Sequence, residues 1–180
     1  MEGLKKYKLA ELCYFQEGYV NPSQDNTEYF DGEIKWIRAV DLNNGKVYDT
    51  SRKLTQEGFN SAGKSALLFK PGTIVISKSG TIGRLGLLQD YMCGNRATIN
   101  IAPKVNTNIN YIFYYLLSKQ EEIANMAVGS VQKNLYVSIL EQYEINIPDN
   151  SVQEKIVQIL SSIDDKIDLN NRINHNLWIN

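Results

Sequence analysis

Histidine, cysteine and proline are scarce in this sequence of 180 residues, which holds one His, two Cys and four Pro. Cys13 and Cys93 lie far apart with no C-x-x-C pair, which excludes a disulfide framework and a zinc-finger cage. The single histidine, His175, stands near the carboxyl end, far from any nucleophile signal, and that closes most metal and triad chemistry. No run approaches the roughly 18 consecutive apolar residues of a membrane span, and Lys5, Lys6 and Lys8 lead into no apolar signal-peptide core. A soluble cytoplasmic protein with no membrane partner is the expectation. What the chain does have is a hydrophobic fraction of 43% and an aromatic fraction of 10%, enough to bury a real core and to exclude disorder as its main state.

A net charge of −1 argues, as an average, against an anionic partner. The average hides a segregation. Residues 1–60 carry 8 basic and 10 acidic side chains, residues 61–104 carry 6 and 1, and residues 105–180 carry 5 and 9. The middle segment is a basic island of Lys64, Lys70, Lys78, Arg84, Arg96 and Lys104, opposed only by Asp90. Clustering of this kind is the footprint expected for phosphate contacts, though a solvated face would look the same.

The pattern of residues points to an α+β fold: a β-rich body over residues 1–150 and a long helix over residues 151–180. Ile34 to Val40 is β-branched and aromatic, and Asn43-Asn44-Gly45 is a type I′ hairpin signal. Pro71-Gly72 marks a turn, Thr73 to Ile76 a buried strand, Ser77 to Gly83 a polar loop, and Leu85 to Leu88 and Ala97 to Ala102 further strands. Ile112, Phe113, Leu116, Leu117, Ile123 and Met126 keep a helical period that predicts one amphipathic helix, capped by Asn108 or Asn110 and ended by Gly129. Tyr143, Ile145 and Ile147 alternate with polar residues as a strand should. Ser151-Val152-Gln153-Glu154 is a capping box for the last helix, in which Ile156, Leu160, Ile163 and Ile167 form a coiled-coil seam. Asn170 and Asn174 extend that seam as polar pins before Leu177. About 28 residues at ~1.5 Å each make a rod of roughly 40 Å, which the body is too small to cover alone.

Several short motifs compete for the function. Gly58 to Ser65 satisfies G-x-x-x-x-G-K-[ST] letter for letter, with Lys64 as the phosphate lysine, and taken alone it indicates a small P-loop nucleotide-binding protein. The motif needs a buried strand before it and a helix after it. Ser51 to Glu57 is polar, and Pro71 leaves little room for a helix. Gly80-Thr81-Ile82-Gly83 fits the G-x-x-G of an RNA-binding KH loop, but its flanks read as strands. Asn21-Pro22-Ser23-Gln24 begins like an adenine methyltransferase motif and lacks its second proline and aromatic. No catalytic residue set emerges, and no metal or cofactor site of the chain's own is expected.

A coherent group does form on the loop from Ser77 to Arg84, where hydroxyls, open glycine amides and two cations suit phosphate. Lys78, Ser79, Gly80 and Arg84, with Arg96, Lys133 and Lys64, are the candidate backbone contacts. Arg38, Gln132 and Asn134 are weaker candidates for base edges, since Gln and Asn can pair both edges of adenine in a major groove.

Read as an ordered series, these pieces resemble half of a type I restriction–modification specificity subunit: one target recognition domain followed by one conserved helical region. The carriers are Tyr7 to Leu12, Ile34 to Ile37 with Asp41-Leu42, Lys70 to Ser77 running into Gly80 to Gly83, Gly129 to Leu135, Ile147-Pro148, Gln153 to Val157, and Ile163 to Ile167. The resemblance implies double-stranded DNA as ligand, no chemistry of the chain's own, and partner methyltransferase (M) and restriction (R) subunits. Those partners, not this chain, would use S-adenosylmethionine, ATP and Mg. A full specificity subunit carries two recognition domains and two helical regions, so the resemblance further implies a homodimer paired through the terminal helix. The rival is a monomer whose helix stays on its own body or docks on a methyltransferase subunit instead.

Overall fold

The computed structural model describes residues 4–179; the side chains of 172 and 175–179 fall outside the described residues, and with them the expectations placed on His175 and Leu177. Three consecutive β-branched residues belong where both faces of a strand are covered. Ile74-Val75-Ile76 obeys this at the centre of a five-stranded sheet. Edge to edge, the sheet runs β2 (Cys13–Glu17), β9 (Thr98–Pro103), β6 (Ile74–Ser77), β7 (Leu85–Leu88), β4 (Gly45–Val47). β6 is antiparallel to both neighbours, with Ile74 opposite Ile101 and Leu87. Alternate side chains of β6 enter different cores: Ile74 and Ile76 pack with Ile99, Ile101, Phe113 and Leu116, whereas Val75 packs with Ile37, Leu42, Leu88 and Met92.

A smaller sheet of β5 (Lys53–Leu54), β3 (Phe30–Ile37) and β8 (Cys93–Gly94) closes on a third cluster of Val20, Phe30, Trp36, Leu54 and Cys93. The Trp36 indole donates to the Val20 carbonyl at 2.8 Å, which satisfies the one polar atom of that buried ring. Asn44 adopts φ 61 as a turn signal should, yet β4 does not fold back on β3. It lies parallel to β7 instead, so the expected hairpin is a turn without one. Tertiary pairing has overridden the local signal, and Asn44 Oδ1 accepts from the Leu85 amide at 2.9 Å to hold that placement.

Helices cover one face of the large sheet. The expected single helix is two: α3 (Ile109–Ser118) and α4 (Gln120–Asn125), separated at Lys119, whose φ −111 and ψ 13 leave the helical region. The Asn108 side chain caps α3 by accepting from the Tyr111 amide at 3.1 Å. Short helices α1 (Leu9–Leu12), α2 (Gln56–Asn60) and α5 (Val137–Gln142) fill the connections. β1 (Lys5–Lys8) pairs antiparallel with β10 (Glu144–Ile147) and brings the first strand beside the last.

The terminal helix α6 (Asn150–Ile179) starts two residues earlier than a capping box with Ser151 as N-cap requires. The Asp149 carbonyl accepts from the amides of Val152 and Gln153, both at 3.0 Å, so the Ser151 and Glu154 side chains do not form the expected box. The first turns of α6 lie on the body. Ile156 and Val157 pack against the main core, the Tyr114 hydroxyl donates to Asp164 at 2.7 Å, and the Lys46 ammonium meets Asp165 at 2.5 Å. The expected seam is thereby divided: Ile156 and Leu160 are half-buried, Ile156 against the main core, whereas Ile163 and Ile167 stay 49% and 51% exposed. The open stripe also holds Ile159 and Ile173, which the sequence reading omitted, together with exposed Asn170 and Asn174. None of the described helices is long and apolar enough to cross a membrane.

Candidate nucleic-acid interface

Antiparallel pairing of β6 with β9 brings the end of one strand to the beginning of the other, because Ser77 lies opposite Thr98. The Lys78 amide donates to the Ala97 carbonyl at 2.8 Å, so the β6–β7 loop and the turn carrying Arg96 are joined directly. On the same end of the sheet, the Leu135 amide donates to the Lys78 carbonyl at 2.9 Å and ties in a third segment. The result is a shallow depression lined by Asn21, Lys78, Ser79, Asn95, Arg96, Ala97 and Asn134. Four side chains expected at the site from sequence (Lys78, Ser79, Arg96 and Asn134) come together here from positions spread over more than fifty residues.

The cations are not equivalent. Lys78 Nζ lies 2.6 Å from Glu17 Oε2, and their side chains are only 15% and 24% exposed, so its charge is already matched within the protein. To act as the expected phosphate contact, Lys78 has to exchange Glu17 for the phosphate. Arg96 is exposed, with no side-chain partner among the described residues, and offers the open charge of the depression. Asn134 donates to the Gln132 carbonyl at 3.3 Å, which leaves its own carbonyl oxygen available. Gln132 and Lys133 stand exposed on the neighbouring hairpin, which the Val128–Asn134 bridge closes. Arg84 lies at the same end of the sheet but one strand further on, its amide bound to Ser77 Oγ at 3.0 Å, and it does not line the depression. Gly80 sits at the exposed tip of that loop.

The rest of the basic island is dispersed. Cations on either side of one strand fall at opposite ends of the sheet, and Lys70 precedes β6 while Lys78 follows it. Lys104 is drawn to the far end of β9, where its ammonium meets the Ala10 carbonyl at 2.5 Å and lies 5.0 Å from the centre of the Tyr14 ring. Arg38 belongs to the smaller lobe and is occupied there. It stacks 5.3 Å from the Trp36 ring centre, donates to Ser51 Oγ at 2.6 Å, and pairs with Asp41 at 3.7 Å.

Lys64 lies on a 3₁₀ turn (Gly63–Ser65) after α2, and the segment Gly58 to Ser65 is no phosphate loop. It starts inside a helix rather than after a strand, and several of its amides are already used: Gly58 donates to Thr55 Oγ1, Phe59 to the Thr55 carbonyl, Ser61 to that of Glu57, and Ser65 to that of Ala62. Among the described residues no group of three or more His, Cys, Asp or Glu is placed to hold a metal ion. Sequence reasoning missed Asn21 and Asn95 as lining residues and Glu17 as the partner of Lys78. Backbone pairing across the sheet positions all three, with Gly18 donating to the Thr98 carbonyl at 3.0 Å and Val20 to that of Gly94 at 3.1 Å.

Known proteins share this chain's sequence pattern and fold. A family model described as Type I restriction modification DNA specificity domain matches residues 1–177. The Type I restriction enzyme MjaIX specificity subunit of Methanocaldococcus jannaschii is 30% identical over 156 residues, covering 84% of this chain and 36% of that protein. A putative type I specificity subunit of Mycoplasma genitalium is 27% identical, covering 75% and 39%. Among solved structures, the HsdS subunit from Thermoanaerobacter tengcongensis superposes with a TM-score of 0.67 at 17% identity, over 96% of this chain and 40% of that one. A chain from a study of complex assembly and conformational transition of the type I R-M system gives 0.71 at 16% identity, over 98% and 42%. This chain therefore spans about two fifths of the length of such relatives. With nearly its whole length matched, the chain belongs to the type I restriction–modification DNA specificity domain family.

Proposed function

We propose that this chain binds double-stranded DNA sequence-specifically through the depression at the end of the large sheet, and so directs adenine methylation and restriction by partner M and R subunits. The observation that carries the reading is the convergence of Lys78, Ser79, Arg96 and Asn134, an anion-compatible cluster with amide side chains able to pair base edges. The chain contributes recognition and no chemistry; S-adenosylmethionine, ATP and Mg belong to the partners. Arg96 and Lys133 are the open cations, and two phosphates neutralised give a slope of log K against log salt of roughly −1.8, or −2.7 if DNA releases Lys78 from Glu17. Gel-shift selection on random duplex DNA, repeated across salt concentrations and in competition with single-stranded RNA, tests this. Preference for the RNA, or an affinity independent of salt, would refute it.

The open stripe on α6 supports a second element of the proposal, a homodimer in which two α6 helices pair as a coiled coil. Ile159, Ile163 and Ile167 each bury a side chain worth about 1.5–3 kcal/mol in such a pairing. A two-fold axis would then present two identical recognition domains to an inverted repeat. Sedimentation at tens of micromolar is expected to give a dimer for the wild type and a monomer for Ile163→Asp with Ile167→Asp. Two monomers would refute the pairing.

A further inference from the structure

The hairpin beside the depression carries a side chain that no polar role explains. Val131 is 101% exposed, at the tip of a turn closed by the Val128–Asn134 bridge, with Gln132 and Lys133 beside it. The turn is built to present that tip. Gly129 adopts φ 142, and a Cβ there would lie 2.2 Å from the Gln132 carbonyl oxygen, so the chain reverses at this point only around a glycine. At the other end, Leu135 is fully buried and its amide is bound to the Lys78 carbonyl, which fixes the hairpin to the loop carrying Lys78 and Ser79. An isopropyl group is thus held in solvent three residues from Asn134, at the rim of the depression.

A single exposed valine is ordinary on a protein surface. A valine at the summit of an anchored turn, next to open cations and amide side chains, has a specific counterpart in duplex DNA. In the major groove the one apolar feature of a base pair is the C5-methyl group of thymine, and aliphatic side chains read it by contact. Resting on the DNA-binding function proposed above, we infer that Val131 is a specificity-determining residue that reads a thymine methyl group, with Lys133 against phosphate and Asn134 towards the adjacent base edge. The methyl contact excludes water from a small apolar surface, worth about four-fold in affinity for one methyl group.

Deoxyuridine differs from thymidine by that methyl alone, which gives a direct test. Duplex retained by the full chain after selection is resynthesised with deoxyuridine at each thymine in turn, and affinities are measured for the wild type, Val131→Gly and Val131→Ile. The expected result is one position per half-site where the wild type and Val131→Ile lose about four-fold and Val131→Gly loses nothing. Val131 is solvated, so its truncation leaves the core intact, and unchanged thermal unfolding verifies that. A methyl response of equal size in Val131→Gly, or none in the wild type, overturns the assignment while the DNA-binding reading stands. If no duplex is retained at all, that reading falls and this one with it.

Discussion

Replacing Gly58 by alanine separates a packing glycine from a phosphate-loop glycine. The residue is buried inside α2, where alanine ordinarily stabilises a helix by about 1 kcal/mol over glycine. Here the added methyl would lie 3.0 Å from the Tyr29 carbonyl carbon and 2.2 Å from its oxygen, the latter more than 1 Å inside the roughly 3.5 Å at which such atoms rest. The carbonyl is not free to swing aside, because it accepts from the Thr55 amide at 3.0 Å. Overpacking costs about 1–3 kcal/mol, and a contact this short against fixed backbone falls in the upper part of that range, about 2–3 kcal/mol, which exceeds the gain in helix propensity. The variant is therefore expected to lose about 1–2 kcal/mol and to melt about 2–8 °C below the wild type. Lys64→Ala, on an exposed 3₁₀ turn with no side-chain partner among the described residues, is expected to stay within about 0.5 kcal/mol. Thermal unfolding of the three proteins, with equilibrium dialysis against ATP, reads both effects. A Gly58→Ala protein as stable as the wild type, or ATP binding abolished by Lys64→Ala, would refute the reasoning.

Burial holds both thiols at about 12, from an ordinary 9.0, so Cys13 and Cys93 are expected to resist a thiol reagent at pH 8 and to react once denaturant unfolds the chain. Their raised values also set an alkaline limb: the stability is complete below about pH 9 and falls as pH rises towards 12, where the unfolded thiols ionise and the folded ones resist. Burial, with the hydrogen bond to Asp164, likewise raises the Tyr114 hydroxyl above its ordinary 10.0. Tyr114→Phe is expected to cost about 1 kcal/mol at neutral pH through the lost bond and to shrink the alkaline limb above pH 10, both measurable by urea unfolding across pH. An unchanged limb would show that Tyr114 does not bear on it.

Much of the architecture was legible because it rests on short-range rules. β6 and β9 announce themselves as β-branched runs bounded by Pro71-Gly72 and Pro103, and Asn108 caps α3 by side-chain chemistry that needs no tertiary information. Pairing was less legible. Asn43-Asn44-Gly45 is the same turn whether the next strand folds back on β3 or crosses to β7, and only the Asn44 bond to Leu85 decides it. The site was half visible for a related reason. Its cations and hydroxyls lie in polar loops that composition picks out, but the Lys78–Glu17 pair joins residues sixty-one positions apart and leaves no local trace. The α6 seam shows the same limit, since helical periodicity finds Ile156, Leu160, Ile163 and Ile167 without telling which of them the body covers.

β6 is a party wall. Its side chains stand alternately in two hydrophobic compartments, Ile74 and Ile76 in one and Val75 in the other, so neither compartment can open without exposing the strand that seals its neighbour. The two halves of the sheet's packing thereby melt as one cooperative unit, and the amides of this strand exchange with solvent only when the whole domain opens. Lys78 and Ser79 follow directly on the end of that wall. The depression hung from the part of the molecule that yields last keeps its shape through every lesser fluctuation, so that the ligand proposed for it would meet groups already ordered and pay little entropy to order them.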